Sequence, residues 1–99
     1  RGVYPEGIEE FYEHMYPNGG ALTAYALVAD SFADAAFWGR ADEAYRRAID
    51  VVDRRLAVAD TEPKTARRER QRAALSAQRE ALVRKAEKAR SALVAGGRS

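Results

Sequence analysis

The sequence contains no cysteine, which excludes disulfide bonds, zinc sites built on thiolates and a cysteine nucleophile. It also lacks a run of about 18 uninterrupted apolar residues, the length that a membrane-spanning helix needs. Its most apolar window, residues 21–38, contains Asp30 and Asp34. We therefore predict a soluble protein without a membrane span. The 99 residues are enough for one domain with one modest core and leave no room for a second.

Aromatic residues and helix breakers are missing from long parts of the chain. All nine aromatic residues lie between Tyr4 and Tyr45, so we expect the core to be anchored in the first half. Glycine and proline are absent from residues 64–95, where Ala, Arg, Glu, Gln, Lys and Leu dominate. These residue types are good helix formers, so this part is predicted to be one long helix, unless it breaks and folds back.

Charge is distributed unevenly along the chain. Residues 1–62 contain twelve carboxylates and six arginines, whereas residues 63–99 contain eleven lysines and arginines and three glutamates. The acidic part and the basic part can neutralise each other within one bundle, or the basic part can bind an anionic partner. Both possibilities remain open from the sequence.

Apolar residues at helical spacing predict four helices separated by three breaks. The breaks are the turn at residues 17–20, Gly39, and residues 60–63, where Thr61 or Asp60 could cap the helix that follows. The predicted helices span residues 6–15, 21–38, 41–59 and 64–95, and residues 96–99 are expected to form a flexible tail. The predicted fold is all-α. It is a single domain, 1–95, with a short N-terminal helix, an antiparallel hairpin and a long basic C-terminal helix.

The last predicted helix is too long for its neighbours. At about 1.5 Å per residue it would be ~48 Å long, whereas the second and third helices would each be ~28 Å. We expect residues 64–82 to lie antiparallel to the third helix and the remainder to extend past the bundle, where its apolar side chains bind a protein partner or a second copy. These predicted partner-binding residues are Val83, Ala86, Ala89, Leu93 and Val94.

Few residues could carry catalysis. His14 is the only histidine and lies four residues after Glu10, a spacing that two metal ligands could use, but no further ligand cluster accompanies the pair. We expect a surface histidine. Asp30 and Asp34 also lie four residues apart and could serve acid/base or cation chemistry, although a solvated edge, or pairing with arginine from the last helix, is the simpler interpretation. We expect no enzymatic activity, no cofactor and no metal.

Basic residues cluster at the start of the last predicted helix and could neutralise phosphates. They are Arg67, Arg68, Arg70 and Arg72. No aromatic residue lies among them to stack on bases, and they are spread around much of the helix. Their simpler role is solvation and pairing with acidic residues of the third helix, such as Asp50 and Asp53. Nucleic-acid or anion binding by the basic helix, residues 64–90, is the alternative function.

Small and large residues alternate at the packing positions of the second and third predicted helices. Tyr25, Val28, Ala29 and Phe32 are followed by Ala41, Tyr45 and Ala48. This pattern resembles a tetratricopeptide-type helical hairpin. The chain from Ala21 to Leu93, which ends in LVRKAEKARSAL, also resembles the three-helix microtubule-interacting-and-transport domain. The resemblance implies an interaction module that receives a partner helix in a groove.

These observations together predict a non-catalytic adaptor or accessory subunit that docks into a larger assembly through its long C-terminal helix. The absence of cysteine is compatible with a reducing compartment. The chain starts at Arg1 in place of Met, as expected for a trimmed chain or for one from which a targeting segment has been removed.

Overall fold

The computed structural model describes residues 4–96 and contains four α-helices within them. They are α1 (Ile8–Met15), α2 (Gly20–Asp34), α3 (Trp38–Ala59) and α4 (Ala66–Val94). The predicted all-α bundle is thus confirmed, and α4 is one continuous helix. The predicted flexible tail falls largely on residues 97–99, which lie outside the described residues.

The third helix is the centre of the bundle and packs against both α2 and α4. Ion pairs between Arg79 and Asp53 and between Arg90 and Asp42 show that α4 runs antiparallel to α3. Most of the buried contact residues are alanines, which allow close approach of helix backbones, and the largest fully buried side chains are Tyr25 and Val52. No helix within residues 4–96 is both long and apolar enough to cross a lipid bilayer.

The last helix overhangs at the end opposite to the predicted one. Ala86 and Ala89 are 4% and 0% exposed in the core of the bundle, so the predicted overhang after residue 82 is wrong and these two residues are not available to a partner. Val83 and Leu93 are half-buried, and Val94 is 81% exposed. Residues 66–71 extend past α3 instead.

The distribution of apolar residues explains this position of α4. Arg72 pairs with Asp60, the residue that follows α3, so the first residues of α4 have no neighbour on that helix. Residues 66–72 contain only alanine and polar side chains, whereas the leucines and valines of the helix are concentrated after residue 81. Burial of apolar surface therefore favours covering the second part of α4. The N-terminal cap is Thr65, whose hydroxyl accepts from the Arg68 N–H, and not Thr61 or Asp60.

The turn between α2 and α3 also differs from the prediction. The second helix ends at Asp34 rather than at Trp38, and Gly39, the predicted break, lies inside α3. Ala36 takes the left-handed conformation with φ 63° and donates its N–H to the Ala33 carbonyl, while the Phe37 N–H donates to the Phe32 carbonyl. These two bonds form a Schellman motif, the usual end of a helix at glycine, built here on alanine.

The short first helix docks on α2 and begins at Ile8 rather than at the predicted residue 6, because Gly7 adopts φ 86°. The Tyr12 ring packs edge-on against Tyr25 at 5.3 Å between centroids. The Glu13 carboxylate accepts from the Ala21 N–H at 3.0 Å and so caps the start of α2 from a neighbouring helix. No residue of α1 is fully buried.

Candidate functional site

A groove runs between α2 and α4 along the surface of the bundle. Both helices run antiparallel to α3, so they are parallel to each other, and their facing residues line two adjoining cavities. Between Leu22 and Asp34, which lie at its two ends, the groove is about 18 Å long at 1.5 Å per helical residue. We refer to it as the α2/α4 groove.

The first part of the α2/α4 groove is an apolar cavity of about 260 Å³. Its lining comprises Leu22, Thr23, Ala26 and Leu27 from α2 and Gln78, Ala81 and Leu82 from α4. Leu27 is 51% exposed although most of its neighbours in the cavity are apolar. The cavity can accept a large apolar side chain, which would cover Leu27.

The second part is a polar cavity of about 450 Å³, built around a hydrogen-bonded cluster. The Tyr45 hydroxyl donates to Asp30 Oδ1 at 2.6 Å, and Lys85 Nζ donates to the same oxygen at 3.2 Å. Burial raises the pKa of the Tyr45 hydroxyl, and its hydrogen bond to Asp30 raises it further, so the hydroxyl stays protonated at neutral pH. The cluster links α2, α3 and α4 and lines the polar cavity.

Two charges in the polar cavity remain without a partner. Asp34 on α2 and Lys88 on α4 form no ion pair with any residue in the described part of the chain, while Trp38 and Ala33 complete the wall. The groove therefore presents one free carboxylate and one free ammonium on opposite sides. With Lys85 neutralised and Tyr45 held as a donor, this arrangement is suited to binding a ligand rather than to proton transfer.

Asp30 pairs with a residue of the last helix, but that residue is Lys85 and not the expected arginine. The sequence carries no signal for the cluster, because Tyr45 and Lys85 lie 15 and 55 residues from Asp30. Phe37 and Trp38 are half-buried. His14 and Glu10 are exposed on α1, and no group of three or more potential metal ligands occurs within residues 4–96.

The four arginines of the predicted anion site do not act as one set. Arg68 pairs with Glu62 and Arg72 pairs with Asp60, so these two are neutralised within the chain. Arg67 and Arg70 are exposed, and neither forms an ion pair with a described residue.

No protein-family model, curated protein or solved structure matches this chain. Function is therefore inferred from the α2/α4 groove and from the charges on α4.

Proposed function

We propose that the protein is a non-catalytic interaction module, an adaptor or accessory subunit, whose α2/α4 groove receives a helical segment of a protein partner. The observation that carries this proposal is the open apolar cavity in which Leu27 is 51% exposed. An apolar side chain from a partner would remove this surface from water, which is favourable by about 25 cal/mol per Å².

The shape of the groove favours a helix as the occupant. The parallel helices α2 and α4, with α3 beneath them, leave room for a helix of the partner. The alanines at positions 26 and 81 permit its close approach. A length of about 18 Å corresponds to about three turns of helix. The occupant would be amphipathic, with a large apolar residue in the cavity beside Leu27.

Charge adds a second requirement for the partner helix. Asp34 and Lys88 lie at the same end of the groove on opposite sides. A partner helix with a basic residue facing α2 and an acidic residue facing α4 would pair both. The fourth helix thus still takes part in docking, through Gln78, Ala81 and Lys88 rather than through the buried Ala86 and Ala89.

Peptide selection tests the proposal without knowledge of the natural partner. Helix-forming peptides are selected from a displayed library on the immobilised domain, and their affinities are compared among wild type, Leu27→Asp and Val58→Asp. Val58 is the matched control, since it is a similarly exposed apolar residue (58%) that lines a different surface, beside α1. We expect Leu27→Asp to weaken binding by about tenfold or more, equivalent to about 1.4 kcal/mol, and Val58→Asp to have little effect. Selected peptides that bind Leu27→Asp as well as wild type would contradict the proposal.

A further inference from the structure

The basic residues of α4 fall into two sets. The first set is neutralised by carboxylates within the bundle or just after α3: Arg68, Arg72, Arg79 and Arg90 pair with Glu62, Asp60, Asp53 and Asp42, and Lys85 pairs with Asp30. The second set forms no ion pair with any residue between 4 and 96. It comprises Arg67, Arg70, Arg84 and Lys88, which are all exposed.

The unpaired set lies on one face of the helix. Successive helical residues are about 100° apart, which places these four side chains within roughly 100° of each other, on a side of the helix other than that of the buried Leu82 and Ala86. Every residue on this face is alanine, arginine or lysine. The face, which we call the basic face, consists of Ala66, Arg67, Arg70, Ala74, Ala77, Ala81, Arg84, Lys85, Lys88 and Ala92. Glu69, Glu80 and Glu87 lie together at one edge of it and form no ion pair with it.

The composition of the basic face selects among anionic partners. Its apolar residues are all alanine, so it lacks the large anchors of protein interfaces and the side chains that insert into lipid. It has no aromatic residue for stacking on the bases of a single strand. Arginine matches the geometry of phosphate oxygens, and alanine leaves room for a phosphate backbone to approach.

We propose that the basic face of α4 binds the phosphate backbone of double-stranded nucleic acid without reading its sequence. Arg67 and Lys88 are separated by about 32 Å along the helix, close to the ~34 Å of one duplex turn. The start of α4 extends past α3, so Arg67 and Arg70 are accessible to a large ligand. Contacts to phosphates hold a protein in place on a duplex, but they carry no information about the base sequence.

The salt dependence of duplex binding tests this proposal. The affinity for a fluorescent duplex of about 20 base pairs is measured by anisotropy from about 50 to about 200 mM NaCl. Four phosphate contacts predict a slope of log K against log [salt] of about −3.6. The variants Arg67→Gln/Arg70→Gln and Arg84→Gln/Lys88→Gln should each reduce this slope by about 2 and weaken binding. The control Arg40→Gln, at an exposed residue of α3 that forms no ion pair within residues 4–96, should leave the slope unchanged, whereas the matched single change Arg70→Gln should reduce it by about 1.

Other outcomes would overturn the proposal. An equal loss in the α3 control would show a general effect of net charge, and absence of duplex binding at about 50 mM salt would exclude the site. Tighter binding to single strands, or to vesicles of phosphatidylserine and phosphatidylcholine, would assign the face to a different polyanion. Circular dichroism establishes that each variant is folded. Leu27→Ala, which adds no charge beside Ala81 of the basic face, should bind the duplex like wild type, which separates this test from that of the α2/α4 groove.

Discussion

Ala36 carries backbone strain at the end of α2. Among residues 4–96 it is the single non-glycine residue with positive φ, at 63°. The left-handed conformation costs an L-residue about 1–2 kcal/mol, because its Cβ comes too close to the following carbonyl oxygen. The edge-on contact between Phe32 and Phe37, with centroids 6.5 Å apart, accompanies the Schellman hydrogen bonds and helps to hold this turn.

We predict that Ala36→Gly stabilises the protein by about 1 kcal/mol, because glycine adopts positive φ without the Cβ clash. The melting temperature followed by circular dichroism should rise by about 4–8 °C. Ala35→Gly is the control. Its φ of −90° suits alanine, so glycine there brings only its entropic cost and should lower the melting temperature. A lower melting temperature for Ala36→Gly would contradict the assignment of strain.

The Tyr4 hydroxyl is buried in the bundle and has no hydrogen-bond partner among residues 4–96. Its ring packs edge-on against Tyr25 at 5.5 Å, and the Arg47 guanidinium lies 4.4 Å from the ring centroid. Burial raises the pKa of the Tyr4 hydroxyl to about 12, with a smaller contribution from the Glu43 charge. The ring therefore accounts for the contacts of Tyr4, and the hydroxyl adds none.

Tyr4→Phe should leave the free energy of unfolding unchanged or raise it by up to about 1 kcal/mol, because the variant keeps both ring contacts and removes an unsatisfied polar group. Urea denaturation measures the difference. Tyr45→Phe provides the contrast, since it removes a hydroxyl that donates to Asp30 at 2.6 Å, and it should lower the free energy of unfolding by about 1 kcal/mol. A larger loss for Tyr4→Phe than for Tyr45→Phe would show that the Tyr4 hydroxyl has a partner.

At the scale of the elements, polar contacts attach α1 to α3, in addition to the packing of Tyr12 against Tyr25. Arg54 donates two hydrogen bonds to the Glu9 carboxylate, at 2.6 and 2.9 Å, and Arg55 links Glu13 to the Gly19 carbonyl. The hydrogen bonds from Arg54 lower the pKa of Glu9 from its usual value. The attachment of α1 should therefore depend on pH.

The sign of this dependence follows from the lowered pKa. The ion pair stabilises the folded state fully when the pH is above the usual glutamate pKa. Its effect is lost as the pH falls through the lowered pKa that Glu9 has in the folded protein. We predict that Glu9→Gln reduces the free energy of unfolding by about 0.5–1 kcal/mol near neutral pH, a modest value because the pair is partly exposed. The difference should shrink in strong acid. Glu10 is exposed and forms no ion pair within residues 4–96, so the control Glu10→Gln should show no such change. An equal effect of Glu9→Gln near neutral pH and in strong acid would contradict a stabilising role of the Glu9 charge.

The second part of α4 contributes Leu82, Ala86 and Ala89 to the core, so we expect it to be required for folding. A chain ending at residue 83 lacks Ala86 and Ala89 and exposes the face of α3 that they cover. We predict that this chain loses cooperative thermal unfolding, whereas a control chain ending at residue 96 unfolds like the full-length protein. Circular dichroism and amide exchange measure both. Cooperative unfolding of the shorter chain near the wild-type melting temperature would instead favour the overhang predicted from the sequence.

Sequence patterns predicted helices well and their packing poorly. The bounds of α4 were predicted within two residues, because no glycine or proline interrupts it. The position of α4 against α3 was not predicted correctly, because residue type does not distinguish the buried Ala86 and Ala89 from the exposed Ala73 and Ala77. The end of α2 was missed because its left-handed residue is alanine, and Gly39 offered a misleading break.

At the scale of the whole molecule, the acidic and basic parts of the chain meet across α4. The helix side facing the bundle pairs with carboxylates such as Asp30, Asp42 and Asp53, which confirms that charge is partly neutralised internally. Arg67, Arg70 and Arg84 of the basic face form no ion pair within residues 4–96, and neither does Lys88, which lies where this face borders the α2/α4 groove. A groove for a partner was predicted from the sequence only through the family resemblance. Its polar cluster could not be predicted, because it depends on the register of three helices.

The most direct test of the α2/α4 groove is an NMR titration of the isotopically labelled domain with a helical peptide selected on it. Binding in the groove predicts that the largest amide shift changes fall on Ala26, Leu27, Gln78 and Ala81, with smaller changes around Asp34 and Lys88. Shift changes confined to the exposed apolar residues elsewhere, Phe11, Met15 and Val58, with the groove unchanged, would contradict the proposed function.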